Sequence, residues 1–193
     1  MILVVGLGNP GPRYAWTRHN AGFLAVDALA IRGGRVASFR PRFEGLYAET
    51  ELGGTRLALL KPETFMNASG RSVREATAFF KIEPEALLVV HDELDLPFGE
   101  LRLKSGGGDG GHRGIRSISA ELGTPAYGRL RVGIGRPAAD FQGDIADFVL
   151  QAVAPEERLE LVSVLERASE VVESVVRDGL SQTMNRTNQR MLR

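Results

Sequence analysis

Short apolar runs alternate along the chain with segments in which apolar residues recur every three or four positions. Runs rich in Val, Ile and Leu are typical of strands that are buried on both faces of a sheet. We predict such strands at residues 1–5, 86–90 and 130–134. Strands of mixed polarity are predicted at 35–39, 46–52, 56–60 and 100–104. The pair Gly53-Gly54 predicts a hairpin turn between two of them.

Helical spacing predicts four helices between and after these strands. They cover residues 20–31, 72–80, 115–122 and 155–178. We expect the first to end at Gly33-Gly34 and the last at Gly179, because glycine commonly follows a helix C-terminus. A short basic tail is expected to close the chain. The order of elements predicts one α/β domain over residues 1–193, with a mixed, mostly parallel twisted sheet and helices on both faces.

Composition narrows the class of protein. A chain of 193 residues that is 43% hydrophobic has enough apolar material for one full core. It contains no cysteine, which excludes a disulfide, a thiolate nucleophile and a cysteine-ligated zinc. Neither an 18-residue apolar run nor a signal-peptide pattern is present. We therefore expect a cytoplasmic protein without a membrane partner.

Charge is unevenly distributed, although the net charge is zero. Between residues 102 and 136, seven basic residues stand against Asp109 and Glu121, a difference of +5. The basic residues are Arg102, Lys104, Arg113, Arg116, Arg129, Arg131 and Arg136. This concentration predicts a basic face for phosphate groups, with an ordinary solvated surface as the alternative.

The first buried strand ends in Gly6-Leu7-Gly8-Asn9-Pro10-Gly11, and its glycine spacing matches a dinucleotide-binding fingerprint. That fingerprint requires a helix to open at its last glycines, but two prolines flank Gly11 and helical spacing begins only near Asn20. The acidic residue at the expected distance, Asp27, lies within helical spacing instead of ending a second strand. A dinucleotide-binding oxidoreductase is therefore a minor alternative.

The loops that follow two buried strands carry His19 and Asp92. Such loops converge at the edge of an α/β sheet where ligands bind. A neutral imidazole accepts a proton from water near pH 7, and a carboxylate on its other nitrogen fixes its tautomer. The sequence has neither a Gly-x-Ser-x-Gly turn nor a His-Glu-x-x-His cluster. The pair predicts direct attack by water without metal or cofactor, although for each residue alone a structural role is favoured.

Short motifs rich in glycine, asparagine and histidine lie in these loops. They are Gly6 to Gly11, Tyr14, Thr17 to Gly22, Lys61-Pro62, Met66 to Gly70, His91 to Pro97, Gly106 to Gly114 and Arg129 to Pro137. In content and order they resemble bacterial peptidyl-tRNA hydrolases over nearly the whole chain. The resemblance implies a monomeric enzyme that cleaves the ester between a peptide and the 3′ ribose of tRNA, with the 3′ end and acceptor-stem side of peptidyl-tRNA as its partner. A non-catalytic RNA-binding module is the main alternative.

The resemblance also implies roles for individual residues. His19 matches the catalytic histidine of the family, and Asp92 matches the carboxylate that supports it. The residues implied to bind the peptide or its ester are Asn9, Tyr14, Met66, Asn67, His112 and Arg113. Those implied to contact tRNA phosphate are Arg102, Lys104 and Arg131.

Arg113 departs from the family pattern, in which asparagine usually follows the histidine of the glycine-rich segment. A cation close to the start of a helix is disfavoured by the helix dipole. We therefore expect substrate, or an acid such as Asp109 or Asp95, to compensate the charge of Arg113, unless the side chain points into solvent.

Overall fold

The chain is organised around a seven-stranded sheet in the computed structural model, which describes residues 1–32 and 37–190. The strands are β1 (Ile2–Gly6), β2 (Arg40–Arg42), β3 (Gly45–Leu52), β4 (Thr55–Pro62), β5 (Leu87–Glu93), β6 (Leu101–Ser105) and β7 (Gly128–Gly133). Across the sheet their order is β2-β3-β4-β1-β5-β7-β6. The central strands β4, β1, β5 and β7 are parallel, and antiparallel pairs extend the sheet at both ends. The predicted mixed, mostly parallel sheet is confirmed.

Helices cover both faces of this sheet. The helices are α1 (Ala21–Arg32), α2 (Ser69–Phe80), α3 (Arg113–Leu122), α4 (Ile145–Val149), α5 (Pro155–Asp178) and α6 (Leu180–Arg190). Helices α1 and α5 share one hydrophobic core with Val4, whereas α2 and α3 share a second core with Leu3 and Val5. Successive side chains of a strand point to opposite faces. Because β1 is covered on both faces, each of its central positions is apolar.

Several predicted boundaries differ from the structure. Strand β5 continues through His91 and Asp92, which the sequence placed in the following loop. The strand predicted at 35–39 is wrong where it can be judged, since residues 37–39 are not in a strand and β2 begins at Arg40. Its residues 35 and 36, like the helix end expected at Gly33-Gly34, lie outside the described residues.

Two helices are additional to those predicted. The short helix α4 begins with a capping box, in which Asp144 and Asp147 exchange hydrogen bonds between side chain and backbone. Helix α6 replaces the expected tail and packs Leu180 and Met184 against the core shared by α1 and α5. Its sequence is mostly polar, so the packing of these two side chains explains its position better than local propensity.

Helix α6 also covers the outer edge of β6. The side-chain amide of Asn188 accepts a hydrogen bond from the backbone N–H of Leu103 at 3.1 Å and donates one to its carbonyl at 3.0 Å. One amide thereby occupies both hydrogen-bonding groups that Leu103 presents at the edge of the sheet.

Close packing of α1 against β1 explains one glycine of the first motif. A Cβ atom on Gly6 would lie 2.2 Å from the carbonyl oxygen of Gly22 in α1. A side chain at Gly6 would therefore push α1 away from the sheet. Because α1 directly follows the loop that carries His19, this contact helps fix where that loop begins and ends.

Candidate active site

A cavity of about 580 Å³ lies at the carboxyl ends of β4, β1 and β5. This is the edge of a parallel sheet where ligand sites are expected. Its walls include seven of the residues predicted from the sequence: Asn9, His19, Met66, Asn67, Asp92, His112 and Arg113. We call this cavity the cleft. Tyr14 and the three residues expected to bind tRNA phosphate are not part of its walls.

The opening loop, residues 7–20, is held in shape by two asparagines. The backbone N–H of Asn9 donates to the Asn20 side-chain oxygen at 2.8 Å, and the Asn20 amide donates to the Asn9 carbonyl at 3.0 Å. Both residues are buried. Asn20 adjoins His19, so this reciprocal pair ties His19 to the end of β1. The sequence placed Asn20 in the loop without assigning it a role.

The opening loop is also fixed from outside. Arg18 forms an ion pair with Glu157 of α5 at 3.2 Å, and its guanidinium lies over the Phe148 ring of α4. The backbone of Val153 donates to the carbonyl of Trp16 at 2.8 Å. These contacts join the segment that precedes His19 to α4, to α5 and to the chain between them.

His19 and Asp92 form the pair that the sequence predicted. The Nδ1 atom of His19 is 2.9 Å from Oδ1 of Asp92. An ionised carboxylate only accepts hydrogen bonds, so Nδ1 carries the proton and Nε2 keeps its lone pair. Within residues 1–32 and 37–190, Nε2 of His19 makes no hydrogen bond to protein. His19 therefore has the tautomer that a general base requires.

His112 is a second histidine on the same carboxylate. Its Nδ1 accepts hydrogen bonds from the backbone N–H groups of Gly114 and Ile115 at 3.2 and 3.4 Å, which caps the N-terminus of α3. Its protonated Nε2 donates to Oδ1 of Asp92 at 2.9 Å. His112 thus connects α3 to the catalytic pair and helps hold Asp92 in place.

Electrostatics keep Asp92 ionised although it is almost completely buried. Burial alone would raise its pKa, but the charges and hydrogen bonds of His19 and His112 hold the pKa of Asp92 well below its usual range. Burial likewise opposes protonation of His19. Asp92 outweighs that effect and raises the pKa of His19 above 6.5, while the cation of Arg113 acts in the opposite direction.

The third histidine of the chain does not face substrate. His91 is buried, and its Nδ1 is 2.7 Å from the carbonyl oxygen of Asp92. Burial, with a contribution from nearby His112, lowers the pKa of His91 to about 3. A neutral His91 therefore supports the backbone of Asp92 without adding a second charge to the site.

His19, Asp92 and His112 could in principle hold a metal ion, since one ligand atom from each lies within 4.8 Å of the others. Both imidazoles already donate N–H hydrogen bonds to Asp92, and the remaining nitrogen of His112 accepts from α3. A metal ligated at the nitrogens that face Asp92 would have to displace both protons. The hydrogen-bonded arrangement accounts for all three side chains, and independence of metal stays a prediction.

Asn9 is oriented by the loop that follows β4. Its side-chain oxygen accepts a hydrogen bond from the backbone N–H of Met66 at 3.0 Å, which leaves its amide nitrogen to donate. Among the described residues, that nitrogen has no hydrogen-bond partner. Asn67 is exposed on the same wall of the cleft. The arrangement presents amide donors to a ligand beside His19.

The glycine-rich loop, residues 106–112, depends on a buried arginine. The guanidinium of Arg129 in β7 donates to the carbonyls of Gly107 and Gly108, both at 2.7 Å, and lies over the Tyr127 ring. Arg129 is 2% exposed, and the described part of the chain gives it no carboxylate partner. The sequence counted Arg129 as part of a basic face, which is wrong because the side chain is inside the protein.

The rest of that basic face is more neutral than the sequence suggested. Four arginines pair with acids, and these pairs are Arg102 with Glu100, Arg116 with Asp109, Arg131 with Glu93 and Arg136 with Asp95. Three of those acids precede residue 102 and so were left out of the count. Across residues 1–32 and 37–190, and apart from the buried Arg129, Lys104 and Arg113 are the members of the set without an acidic partner.

Arg113 is the first residue of α3 and is exposed in the wall of the cleft. The two acids considered as its partners are engaged elsewhere, since Asp109 pairs with Arg116 and Asp95 with Arg136. The expectation that one of these acids compensates the charge of Arg113 is therefore wrong. Its cation faces a space that substrate can enter.

Helix α4 adds an apolar wall that the sequence analysis missed. Ile145, Val149 and Leu150 line the cleft, and Ile145 and Leu150 are about two-fifths exposed, at 42% and 40%. The available signal was the Asp144-Ile-Ala-Asp147 capping box followed by apolar residues at helical spacing. This wall gives the cleft an apolar surface in addition to its polar residues.

The opening loop lacks the geometry of a dinucleotide site. Short 3-10 helices, Pro12–Tyr14 and Arg18–Asn20, follow the glycines, and α1 begins only at Ala21. No α-helix therefore opens at Gly8 or Gly11 in this segment, and only a single 3-10 turn begins after Gly11. Asp27 lies within α1 and pairs with Lys61.

The fold and the cleft define a protein of the α/β class in which a buried aspartate orients a histidine toward the cleft. A family model described as peptidyl-tRNA hydrolase matches residues 3–193. A peptidyl-tRNA hydrolase of Sorangium cellulosum is 52% identical over 190 residues, which is 98% of this chain and 85% of that protein. One of Frankia alni is 55% identical over 185 residues, covering 95% and 92% of the two chains.

A solved structure gives the same result. The crystal structure of peptidyl-tRNA hydrolase from Acinetobacter baumannii superposes with a TM-score of 0.87 at 40% sequence identity, and the match covers 97% of this chain and 94% of that one. The chain belongs to the peptidyl-tRNA hydrolase family. This membership confirms the family, the fold class and the carboxylic-ester hydrolase activity expected from the sequence motifs.

Within the described residues, none of the helices combines the length and apolar character needed to cross a membrane.

Proposed function

We propose that this chain hydrolyses the ester between a peptide, or an N-blocked amino acid, and the 3′ ribose of tRNA. The observation that carries the proposal is the hydrogen bond from His19 Nδ1 to Asp92, which leaves His19 Nε2 unpaired in the wall of the cleft. An oriented imidazole of this kind removes a proton from water. Its position beside two asparagine amides suits an ester carbonyl as the site of attack.

In the proposed reaction, His19 Nε2 takes a proton from water while the water oxygen attacks the ester carbonyl. Asp92 holds the imidazole in place and stabilises the imidazolium that forms. The tetrahedral intermediate then breaks its bond to the ribose oxygen, which receives the proton from His19. The products are a peptide with a free carboxyl group and a tRNA with a free 3′ hydroxyl.

Asn9 and Asn67 are the proposed partners of the peptide and of the scissile carbonyl. Since Met66 occupies the Asn9 oxygen, the Asn9 amide nitrogen is held as a donor toward the cleft. A fixed donor stabilises the negative charge that develops on a carbonyl oxygen during attack. Met66 and His112 complete this wall, whereas Tyr14 lies away from it and contributes its backbone carbonyl to Thr17.

Arg102, Lys104 and Arg131 are the proposed contacts to tRNA phosphate. They lie on β6 and β7, at one end of the sheet. Phosphate contacts of this type supply affinity without reading base sequence. Because Arg102 and Arg131 are already paired with glutamates, we expect Lys104 to contribute most to the salt dependence of binding.

Arg113 is proposed to hold substrate through its charge. The side chain is exposed in the cleft and has no acidic partner in the described chain. Arg113→Ala is expected to raise KM for peptidyl-tRNA, and Arg113→Asn, which restores the usual family residue, is expected to remain active. If Arg113→Ala matches the parent in both KM and kcat, the side chain is not a substrate contact.

The proposed substrate arises during translation, so we also propose a cytoplasmic location. All of the residues in the proposed site lie on this one chain, and we propose a monomer. Sedimentation equilibrium at the concentrations used for kinetics tests that state.

The decisive experiment measures release of free tRNA from N-acetyl-aminoacyl-tRNA. The parent should turn over and His19→Ala should bind without turnover. Binding of tRNA by both proteins without any release would favour a non-catalytic RNA-binding module. A chelator should leave hydrolysis of a small RNA-free ester unchanged, and that substrate is needed because Mg²⁺ also folds tRNA.

A further inference from the structure

Buried polar atoms without partners are concentrated on one face of β5 and β7. Within residues 1–32 and 37–190, six buried side-chain nitrogen or oxygen atoms make no hydrogen bond, and three of them are His91 Nε2, Arg129 Nε and Arg131 Nε. The register places His91 directly opposite Arg131, with Arg129 two residues earlier. Because alternate residues of a strand share a face, all three side chains leave the sheet on the same side. Proteins rarely bury polar atoms unpaired, so this group calls for a common partner.

The three atoms are complementary in their hydrogen-bonding character. The Nδ1 atom of His91 is 2.7 Å from the carbonyl oxygen of Asp92, and a carbonyl only accepts, so Nδ1 carries the proton. Burial lowers the pKa of His91 to about 3, so the ring is neutral and its Nε2 is an acceptor. The Nε atoms of the two arginines are donors. One acceptor and two donors match the hydrogen-bonding groups of a single buried water.

We propose that one buried water joins His91 Nε2 to the Nε atoms of the two arginines, and that His91 is thereby a positioning residue for the pair of His19 and Asp92. The other side of the His91 ring already contacts this pair. Its Nδ1 donates to the backbone of Asp92, and the ring packs edge-on against His112 with the centroids 4.8 Å apart. His112 in turn donates to the Asp92 carboxylate. A fixed His91 therefore holds Asp92 through its backbone and through a side-chain partner.

Arg131 then has two functions, which depend on different atoms of one side chain. Its Nη1 is 3.3 Å from Oε2 of Glu93, and the side chain as a whole is 23% exposed. Its Nε is buried. The guanidinium end is available to tRNA phosphate, as the proposed function requires, while the buried Nε is available to the water beside His91. The positioning role rests on that proposed function, because its effect is measured on hydrolysis.

Substitutions that remove one nitrogen at a time test the link. Arg131→Lys keeps the positive charge but has no nitrogen at the position of Nε. His91→Asn keeps an amide at the position of Nδ1, which can still donate to the Asp92 carbonyl, and has no atom at the position of Nε2. Each should lower the single-turnover rate constant for release of tRNA from N-acetyl-phenylalanyl-tRNA, measured at saturating enzyme, about fivefold, the effect of one lost hydrogen bond.

The split between rate and binding separates the two functions of Arg131. Because Arg131→Lys keeps its charge, the enzyme concentration that gives the half-maximal rate should stay within about twofold of the parent value. A large rise in that concentration with a parental rate constant at saturation would show that Arg131 acts only on phosphate, and it would overturn the link.

The double variant distinguishes one shared link from two separate defects. Since both substitutions break the same link, His91→Asn combined with Arg131→Lys should also lower the rate constant about fivefold, whereas independent losses would multiply to about 25-fold. Arg32→Lys is the matched control, because the Nε of Arg32 pairs with Glu173 on the surface and contacts neither strand. It should keep the parental rate constant, and urea unfolding should show that each protein is folded.

The parent protein provides a second test that needs no variant. A crystal structure that resolves ordered water should show one water within hydrogen-bonding distance of His91 Nε2 and Arg131 Nε. Absence of that water overturns the proposal, as do single variants with parental rate constants, losses that multiply, or an equal loss in Arg32→Lys.

These outcomes also distinguish the proposal from the proposed function. Turnover by the parent together with any of the contrary results would remove only the positioning role of His91. Failure of the parent to release tRNA would instead contradict the proposed function itself.

Discussion

Two loops supply the cleft with polar residues, and they are held in different ways. The opening loop has internal support, because Asn9 and Asn20 exchange two hydrogen bonds, in addition to its contacts with α4 and α5. The glycine-rich loop is fixed from another element, by Arg129 of β7 through two backbone carbonyls. His19, the residue proposed to perform the chemistry, lies on the self-supported loop. Arg113, the cation proposed to hold substrate, follows the loop with the remote anchor.

This difference has a physical basis. General-base catalysis requires a hydrogen-bonding geometry fixed to a fraction of an ångström, which short reciprocal contacts provide. Substrate binding tolerates more movement, and glycines allow a polynucleotide or peptide backbone to approach closely. Changes in the opening loop should therefore lower kcat, and changes around the glycine-rich loop should mainly raise KM.

The largest effect is expected from His19→Ala. Removal of a positioned general base should lower kcat about 10²- to 10⁴-fold while tRNA binding stays near that of the parent. Single-turnover hydrolysis and a filter-binding assay measure the two quantities. Near-full activity would remove His19 from the mechanism. Asp92→Asn should also slow turnover, and an unchanged rate would show that the pair has no catalytic function.

Asn20→Ala tests the self-supported loop without touching substrate. The substitution removes two buried hydrogen bonds and should lower the free energy of unfolding by roughly 2–4 kcal/mol. It should also lower kcat about tenfold, because a misplaced His19 should raise the activation free energy by about 1.4 kcal/mol. Urea unfolding and steady-state kinetics provide the measurements. Lost stability with an unchanged kcat would show that the asparagine pair does not position His19.

Arg129→Met tests the remote anchor. Two carbonyls of the glycine-rich loop lose their donors, and the loop is then positioned less well. KM should rise several-fold, which corresponds to a loss of roughly 1 kcal/mol in the free energy of substrate binding. Arg129→Lys, which keeps one donor, should recover part of the affinity. Arg32→Met, which removes an arginine from an ion pair on α1, is the matched control. A lower kcat with constant KM would reverse the distinction between the two loops.

The smallest effect links the two loops through charge. The rate requires neutral His19, and Asp92 raises its pKa, so kcat/KM should fall as the pH drops through a value above 6.5. The cation of Arg113 lowers the pKa of His19. Arg113→Asn should therefore shift this acid limb to higher pH. A pH profile that does not move would show that solvent screens the two groups from each other.

Sequence patterns predicted the parts of the fold that follow from the spacing of apolar residues. The parallel core and the meeting of His19 with Asp92 followed from buried strands whose ends share one edge. Arg129 could not be recognised, because a buried arginine and a surface arginine look alike before the fold is known. Helix α6 was missed for a related reason, since Leu180 and Met184 direct a mostly polar segment onto the core.

Asn188 has a consequence for how the protein behaves in a crowded solution. An exposed edge strand is a template on which a second chain can add its own strand, the first step toward domain swapping or fibril growth. The amide of Asn188 imitates one residue of such an added strand at Leu103 and leaves that position already satisfied. Helix α6 therefore blocks the addition of a further strand at Leu103 of β6. Without it, the sheet could extend from one molecule to the next at this edge.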